Sequence, residues 1–154
     1  MTEYDMWKIF PKMPRKVRIA DITIRDGFQH EEKFISTAAK KFYLEELIFA
    51  GAREIEVTNL GNPFLMPQFK DGEELLKHLR SDRFKKRCEK KGVNYDDICF
   101  TAITIREPAV NKAIRLKEEG VGPDRILMMV STEEEHHFTN SGSTLPEYWK
   151  EVER

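Results

Sequence analysis

Four short runs rich in β-branched and aliphatic residues, at 17–24, 54–59, 98–105 and 125–131, are each followed, directly or after a loop, by a stretch with apolar residues at helical spacing. Few folds accommodate such strict alternation, because parallel strands need a crossover between them and the crossover is right-handed. The pattern predicts an α/β chain built on a parallel sheet. Two architectures meet it: an open doubly wound sheet, or half of a TIM barrel, whose complete (β/α)8 form runs to about 250 residues. A chain of 154 residues has room for about four βα units around one core.

Local signals bound the elements. The run 17–24 reads as the first strand, interrupted by Arg18 and Asp21 as a strand near a sheet edge can be. Ser36 or Thr37 then caps a helix in which Ala39, Phe42, Tyr43, Leu44, Leu47 and Ile48 recur at three and four spacing, and Gly51 ends it. After the second strand, 54–59, the loop 60–69 is unusually apolar for a connection, which predicts that it folds over something. Asp71 and Glu74 have capping-box spacing ahead of Leu75, Leu76 and Leu79. The basic run 83–91 reads as the solvated face of a helix reaching Gly92.

The run 98–105 is the most continuous apolar strand, with Arg106 and Glu107 at its carboxyl edge. Pro108 opens the next helix and Gly120 closes it. In the fourth strand, 125–131, Met128 and Met129 are expected in the core. Residues 132–143 read as a polar loop carrying His136, His137 and Asn140, and Thr144 caps a last helix over 145–152. Residues 1–16 show neither period and read as an irregular N-terminal arm, leaving 17–154 as the domain.

Composition narrows the partners. With 26 basic and 27 acidic side chains the net charge is -1, which provides no global field to gather nucleic acid or an anionic membrane. The first residues carry acids without a following apolar run, and no stretch approaches the roughly 18 apolar residues of a membrane span, so a cytoplasmic protein is expected. Cys88 and Cys99 lack CxxC spacing, which argues against a disulfide framework or a zinc knuckle; they read as a surface thiol and a buried strand thiol.

Chemistry is expected where the first strand ends in Arg25-Asp26-Gly27. A strand that stops at a glycine-containing turn places its last side chains at the carboxyl edge of the sheet, where α/β proteins bind ligands. The stretch Asp21-Ile22-Thr23-Ile24-Arg25-Asp26-Gly27-Phe28-Gln29, with Glu31 and Ser36-Thr37 after it, resembles the opening motif of the hydroxymethylglutaryl-CoA lyase-like group. That group lies within the metal-dependent lyase and pyruvate carboxyltransferase-like superfamily. Ile55-Glu56-Val57-Thr58 and then Asn62-Pro63-Phe64-Leu65-Met66-Pro67-Gln68-Phe69-Lys70-Asp71 continue the likeness in order and spacing. Asn140 and the acid-rich helix start at Thr144 are similar to the fourth unit more loosely.

The resemblance implies a barrel enzyme that cleaves a carbon–carbon bond in an acyl-CoA or a hydroxy or oxo acid. Asp26 would be a ligand of Mg2+ or Mn2+, and Arg25 would stabilise the departing enolate, where negative charge develops in the transition state. It further implies that Glu56 organises Arg25 or binds polar substrate groups, that Gln29 orients substrate or a metal-bound water, and that Thr58 and Asn140 bind substrate.

The sequence also departs from the family. Phe28 stands where the synthase branch shows an acid, and Glu32 followed by Lys33 replaces the lysine spacing of many lyases. Thr23-Ile24 is closer to the synthase and aldolase branches. The late His-x-His pair and late cysteine of the family have no counterpart; the histidines are His30, His78, His136 and His137. The chain thus resembles the N-terminal half of such an enzyme. A half-barrel exposes two sheet edges and an apolar inner face, so pairing with a copy of itself or with a complementary C-terminal half is expected. An acyl-transferring synthase, an aldolase, a decarboxylase or a non-catalytic half-barrel are the alternatives.

Overall fold

The strands β1 (Ala20–Asp21), β2 (Glu54–Asn59), β3 (Cys99–Thr104) and β4 (Arg125–Met128) form one sheet in that order, every pair parallel. This is a computed structural model, and it describes Pro14 and residues 16–153, so nearly all of the expected N-terminal arm lies outside the described residues. Strands that neighbour one another in chain order, with no reversal, wind in one direction as a barrel wall does, whereas a doubly wound sheet reverses at a switch point. Of the two architectures, the half-barrel is the one observed.

Between the strands run α1 (Thr37–Phe49), α2 (Gly72–Arg80), α3 (Asp82–Lys90) and α4 (Glu107–Glu118), and after β4 come α5 (Glu134–Ser141) and α6 (Leu145–Val152). Leu44 and Ile48 of α1, Leu75, Leu76 and Leu79 of α2, Phe84 of α3 and Leu116 of α4 pack with Ile55, Val57, Phe100 and Ala102 of the strands. Every one of these side chains is at most 1% exposed, so the core fills the helical side of the sheet. On the other side, Leu127 pairs in register with Ile103 yet remains 38% exposed. The inner face of the half-barrel is only partly covered.

Local chemistry sets the boundaries. Ser36 caps α1 by accepting from the Ala39 N–H, and Gly51, at φ 115, turns the chain out of it in a conformation that suits glycine. Ser81 ends α2 and caps α3, accepting from the Phe84 N–H, so the basic run belongs to a separate helix. Phe84 and Cys88 are the buried residues of α3, and its cations face outward as expected.

Several expectations need correction. The first strand is two residues long instead of 17–24, because Val17 and Ile19, 74% and 82% exposed, have no strand on their outer side among the described residues and the chain coils from Thr23 onward. The fourth strand ends at Met128, and Met129 is 50% exposed on the partly covered face instead of in the core. The supposed loop 132–143 contains α5, whose start Glu133 caps by accepting from the N–H groups of Glu135 and His136. Asp71 stands at the N-cap of α2 but makes no capping bond, since Lys40 takes its carboxylate. The thiols are reversed: Cys88 is the buried one and Cys99 is half-buried, and desolvation pushes both thiols up. Thr144 caps α6 as expected, in a full capping box with Glu147.

Candidate active site

After β1 the Asp21 carboxylate accepts from the Thr23 N–H (3.0 Å) and hydroxyl (3.3 Å), and the chain winds into a π-helical turn over Thr23–Gly27. The Asp26 and Gly27 N–H groups both donate to the Ile22 carbonyl, at 2.7 and 3.2 Å. Such wide turns are rare and recur at functional sites. The turn buries Ile24 and Arg25 and leaves the Asp26 side chain 45% exposed.

Arg25 lies between two carboxylates. Its Nε and Nη2 both lie 2.6 Å from Glu56 Oε2, and its Nη1 donates to Asp26 Oδ1 at 2.7 Å. Arg25 and Glu56 are buried, and a buried charge of this kind persists only when paired and hydrogen-bonded. The pairing fixes the guanidinium beside Asp26. Glu56 stands in the middle of β2 and supports Arg25 from behind.

A bulge in β2 decides which side chains reach the site. Glu56 pairs with Thr101 and Thr58 with Ala102, so Val57 is an extra residue and the alternation of faces shifts after it. Thr58, expected at the substrate, is instead 0% exposed and turned to the helix layer, so close to α2 that a Cβ at Gly72 would lie 2.3 Å from its Oγ1. Asn59 takes its place at the cleft, donating to Met66 Sδ (3.1 Å) and accepting from the Gly61 N–H (2.7 Å).

The cleft at the carboxyl edge has a volume of about 220 Å³ and brings Arg25, Asp26, Gln29 and Asn140 together. Asn59, Ser131, His137 and Ser141 complete the polar part of its lining. The amides of Gln29 and Asn140 have no hydrogen-bond partner among the described residues, and so remain available. His137 is 1% exposed; its Nε2 lies 3.0 Å from the Ser141 hydroxyl and its ring meets Tyr148 edge-on at 4.8 Å. Asn59 and His137 were missed from sequence. The bulge has no sequence signature, while the four-residue spacing of His137 and Ser141 would have indicated one helix face had Glu133 been recognised as a cap.

At the opposite, amino edge lies a larger hollow of about 1070 Å³, lined by Arg18, Glu54, Cys99 and Asp124 among others. Glu54 accepts from Arg18 (2.7 Å) and Arg125 (3.0 Å) there. Hydrogen bonding to Arg18 lowers its carboxyl against the opposing effect of burial, and the Arg125 charge adds to the lowering. In barrels that edge serves stability while the carboxyl edge carries chemistry, so the smaller cleft is the candidate site.

Among the described residues no three His, Cys, Asp or Glu side chains come together as a metal cage requires. Asp26 offers a single carboxylate, whose Oδ1 is engaged by Arg25. These residues alone do not fit a metal centre.

A singly wound parallel half-barrel whose first turn presents a buried arginine and a carboxylate to a carboxyl-edge cleft defines a class: the opening half of a TIM barrel. No family model matches the chain. Human mitochondrial hydroxymethylglutaryl-CoA lyase is 35% identical to it over 68 residues, which are 44% of this chain and 21% of the human protein. The solved hydroxymethylglutaryl-CoA lyase of Brucella melitensis superimposes with a TM-score of 0.71 at 23% identity, over 88% of this chain and 42% of that one. The lyase of Acinetobacter baumannii, solved with coenzyme A and 3-methylmalate, gives 0.68 at 20% identity over 88% and 38%. The solved structures show the fold, and together with the local identity they fit the hydroxymethylglutaryl-CoA lyase-like superfamily. The chain spans less than half the length of the proteins it matches.

Proposed function

We propose that the Arg25–Asp26 cleft is one wall of the active site of a divalent-metal-dependent carbon–carbon lyase acting on a hydroxyacyl-CoA or a related 3-hydroxy acid. The observation that carries the reading is the guanidinium of Arg25, immobilised by Glu56 and offered beside Asp26 at the carboxyl edge. In a retro-aldol or retro-Claisen cleavage, charge develops on the enolate oxygen of the leaving fragment. A cation that is already oriented stabilises that charge without reorganisation at the moment of reaction. Gln29 and Asn140 hold substrate oxygens through their free amides, and Asp26 is one ligand of Mg2+ or Mn2+ whose other ligands come from outside these units. Thr58, buried behind the cleft, has no substrate role in this reading.

Phe28 favours lyase over synthase. Its ring packs edge-on against Tyr43 at 5.8 Å, so an apolar contact replaces the acid of the synthase branch. The partly covered inner face supports completion by a second set of βα units, from a copy of the chain or from a complementary C-terminal half. Two free thiols suit a reducing, cytoplasmic compartment.

The test joins the chain to a C-terminal set of four βα units from a related lyase and assays metal-dependent release of acetyl-CoA from hydroxymethylglutaryl-CoA. Asp26→Ala is expected to abolish cleavage, and full retained activity refutes the assignment. Size-exclusion chromatography with light scattering checks the partner: a stable, non-aggregating monomer of 18.1 kDa argues against completion by a second chain.

A further inference from the structure

The outer face of α3 carries Arg83, Lys86, Arg87 and Lys90 at the i, i+3, i+4, i+7 spacing that lines side chains up along one side of a helix. All four are exposed, and they alone border a shallow trough of about 420 Å³. Phe84 and Cys88, buried in the core, anchor the helix, so the stripe is presented from a fixed support. At a rise of 1.5 Å per residue it is about 10 Å long. None of its residues borders the Arg25–Asp26 cleft.

The stripe lacks the counter-charges that other surface cations have. Lys41 meets Glu74, Lys112 meets Glu73, Arg115 meets Glu119 and Arg106 meets Glu151. On α3 itself Lys85 stands over the Tyr95 ring (5.4 Å) and Lys91 over the Phe49 ring (5.7 Å), while Arg87 is divided between Glu45 and Phe49. Arg83, Lys86 and Lys90 have no ion pair, hydrogen bond or ring contact among the described residues, although Asp82 and Glu89 share their helix. Like charges four residues apart, as in Arg83–Arg87 and Lys86–Lys90, oppose helix formation. An anionic partner relieves that repulsion.

The rest of the molecule narrows the partner. Residues 83–91 carry six cations and one acid, whereas the remainder of the chain carries 20 cations and 26 acids. The phosphates of a nucleic acid continue past a stripe of about 10 Å onto a surface of net negative charge. Its bases would find no exposed aromatic ring on α3 to stack on, since Phe84 is buried, and a bilayer would find no exposed apolar side chain there to bury. A short acidic peptide ends where the stripe ends.

We propose that the outer face of α3 is a docking site for a short acidic peptide segment of a partner protein, whose carboxylates pair with Arg83, Lys86 and Lys90.

Fluorescence anisotropy of the full chain with a labelled glutamate peptide of about ten residues tests it, beside a glutamine peptide, a single-stranded oligonucleotide of similar length and phosphatidylserine vesicles. The glutamate peptide is expected to bind at low salt and to be released at about 0.5 M salt. Each exposed pair is worth roughly two- to fivefold in affinity. Lys86→Glu with Lys90→Glu, which also adds repulsion, is therefore expected to weaken binding about tenfold or more while leaving the midpoint of urea unfolding no lower. Lys117→Glu, the same charge change at an exposed position of α4, is expected to leave affinity within about twofold. Absence of glutamate-peptide binding, equal binding of the glutamine peptide, binding that ignores the double reversal, or an equal loss on Lys117→Glu each overturn the proposal. Tighter binding of the oligonucleotide or of the vesicles overturns it in favour of a nucleic acid or a membrane. Salt-sensitive self-association in light scattering that the double reversal abolishes makes a second copy of the chain the occupant and overturns it as well.

Discussion

Lys40 and Asp71 meet as a buried ion pair, Nζ to Oδ1 at 2.8 Å, with side-chain exposures of 1% and 6%. Lys40 also donates to the Gln68 carbonyl, and the Gln68 side chain donates to the carbonyls of Glu31 and Lys33, both at 2.7 Å. This chain of contacts ties the loop that carries Met66 to the segment that follows Gln29. Asp71 Oδ2 has no hydrogen-bond partner among the described residues, so its carboxylate relies on Lys40. Lys40→Met is expected to cost about 3–5 kcal/mol in urea unfolding by leaving that charge unpaired, and Lys40→Met with Asp71→Leu to recover much of the loss. A single-variant cost below about 1 kcal/mol contradicts this account.

The Arg25–Glu56 pair holds the π-helical turn against β2. Glu56→Gln keeps the shape but removes the charge that grips the guanidinium. Amide hydrogen exchange at Asp26 and Gly27, both bonded to the Ile22 carbonyl, is expected to accelerate about tenfold or more, with the β3 amides unchanged. Uniform acceleration through the sheet would show a global loss of stability instead of a local role.

Much of the architecture was legible in the sequence because alternation of strand and helix patterns leaves few parallel folds. That Arg25 and Asp26 face the carboxyl-edge cleft was legible too, since a strand-ending turn puts its side chains at a known edge, whereas Gln29 and Asn140, which line the same cleft, were indicated only by the resemblance. Thr58 was not, because one extra residue at Val57 reverses every face after it and only pairing with β3 reveals it. The helix α5 was hidden because its cap is a glutamate within a run of three, where a cap and a solvated acid look alike. Met129 was misplaced because a half-barrel leaves strand residues exposed that a complete sheet buries.

The close approach of Gly72 to Thr58 gives a third prediction. A Cβ at position 72 would stand 2.3 Å from Thr58 Oγ1, 3.0 Å from its Cγ2 and 3.1 Å from its Cβ. Gly72→Ala is expected to cost about 1–3 kcal/mol despite the better helix propensity of alanine, because both β2 and α2 are packed in place. Thr58→Ala removes the two nearest atoms and is expected to return part of that cost in the double variant. Additive unfolding energies would rule out the contact as the cause.

The last prediction concerns acid. Glu54 is held below the usual carboxylate range chiefly by its hydrogen bond from Arg18, against burial and with help from Arg125. A carboxyl whose value is lower in the folded than in the unfolded state leaves the unfolded chain binding more protons as pH falls. Its stabilisation is therefore complete above the ordinary glutamate value of about 4.3 and is lost as pH falls through the folded value. Unfolding free energy is expected to decline more steeply below about pH 5 in the unmodified chain than in Glu54→Gln, with the two slopes converging near neutrality. The Arg18 and Arg125 side chains are 82% and 55% exposed, so their attraction is screened, and about 1 M salt is expected to shrink the difference. Urea titrations across that range check it, and identical slopes for the two proteins at low salt would show that the Arg18–Glu54–Arg125 cluster does not contribute to acid sensitivity.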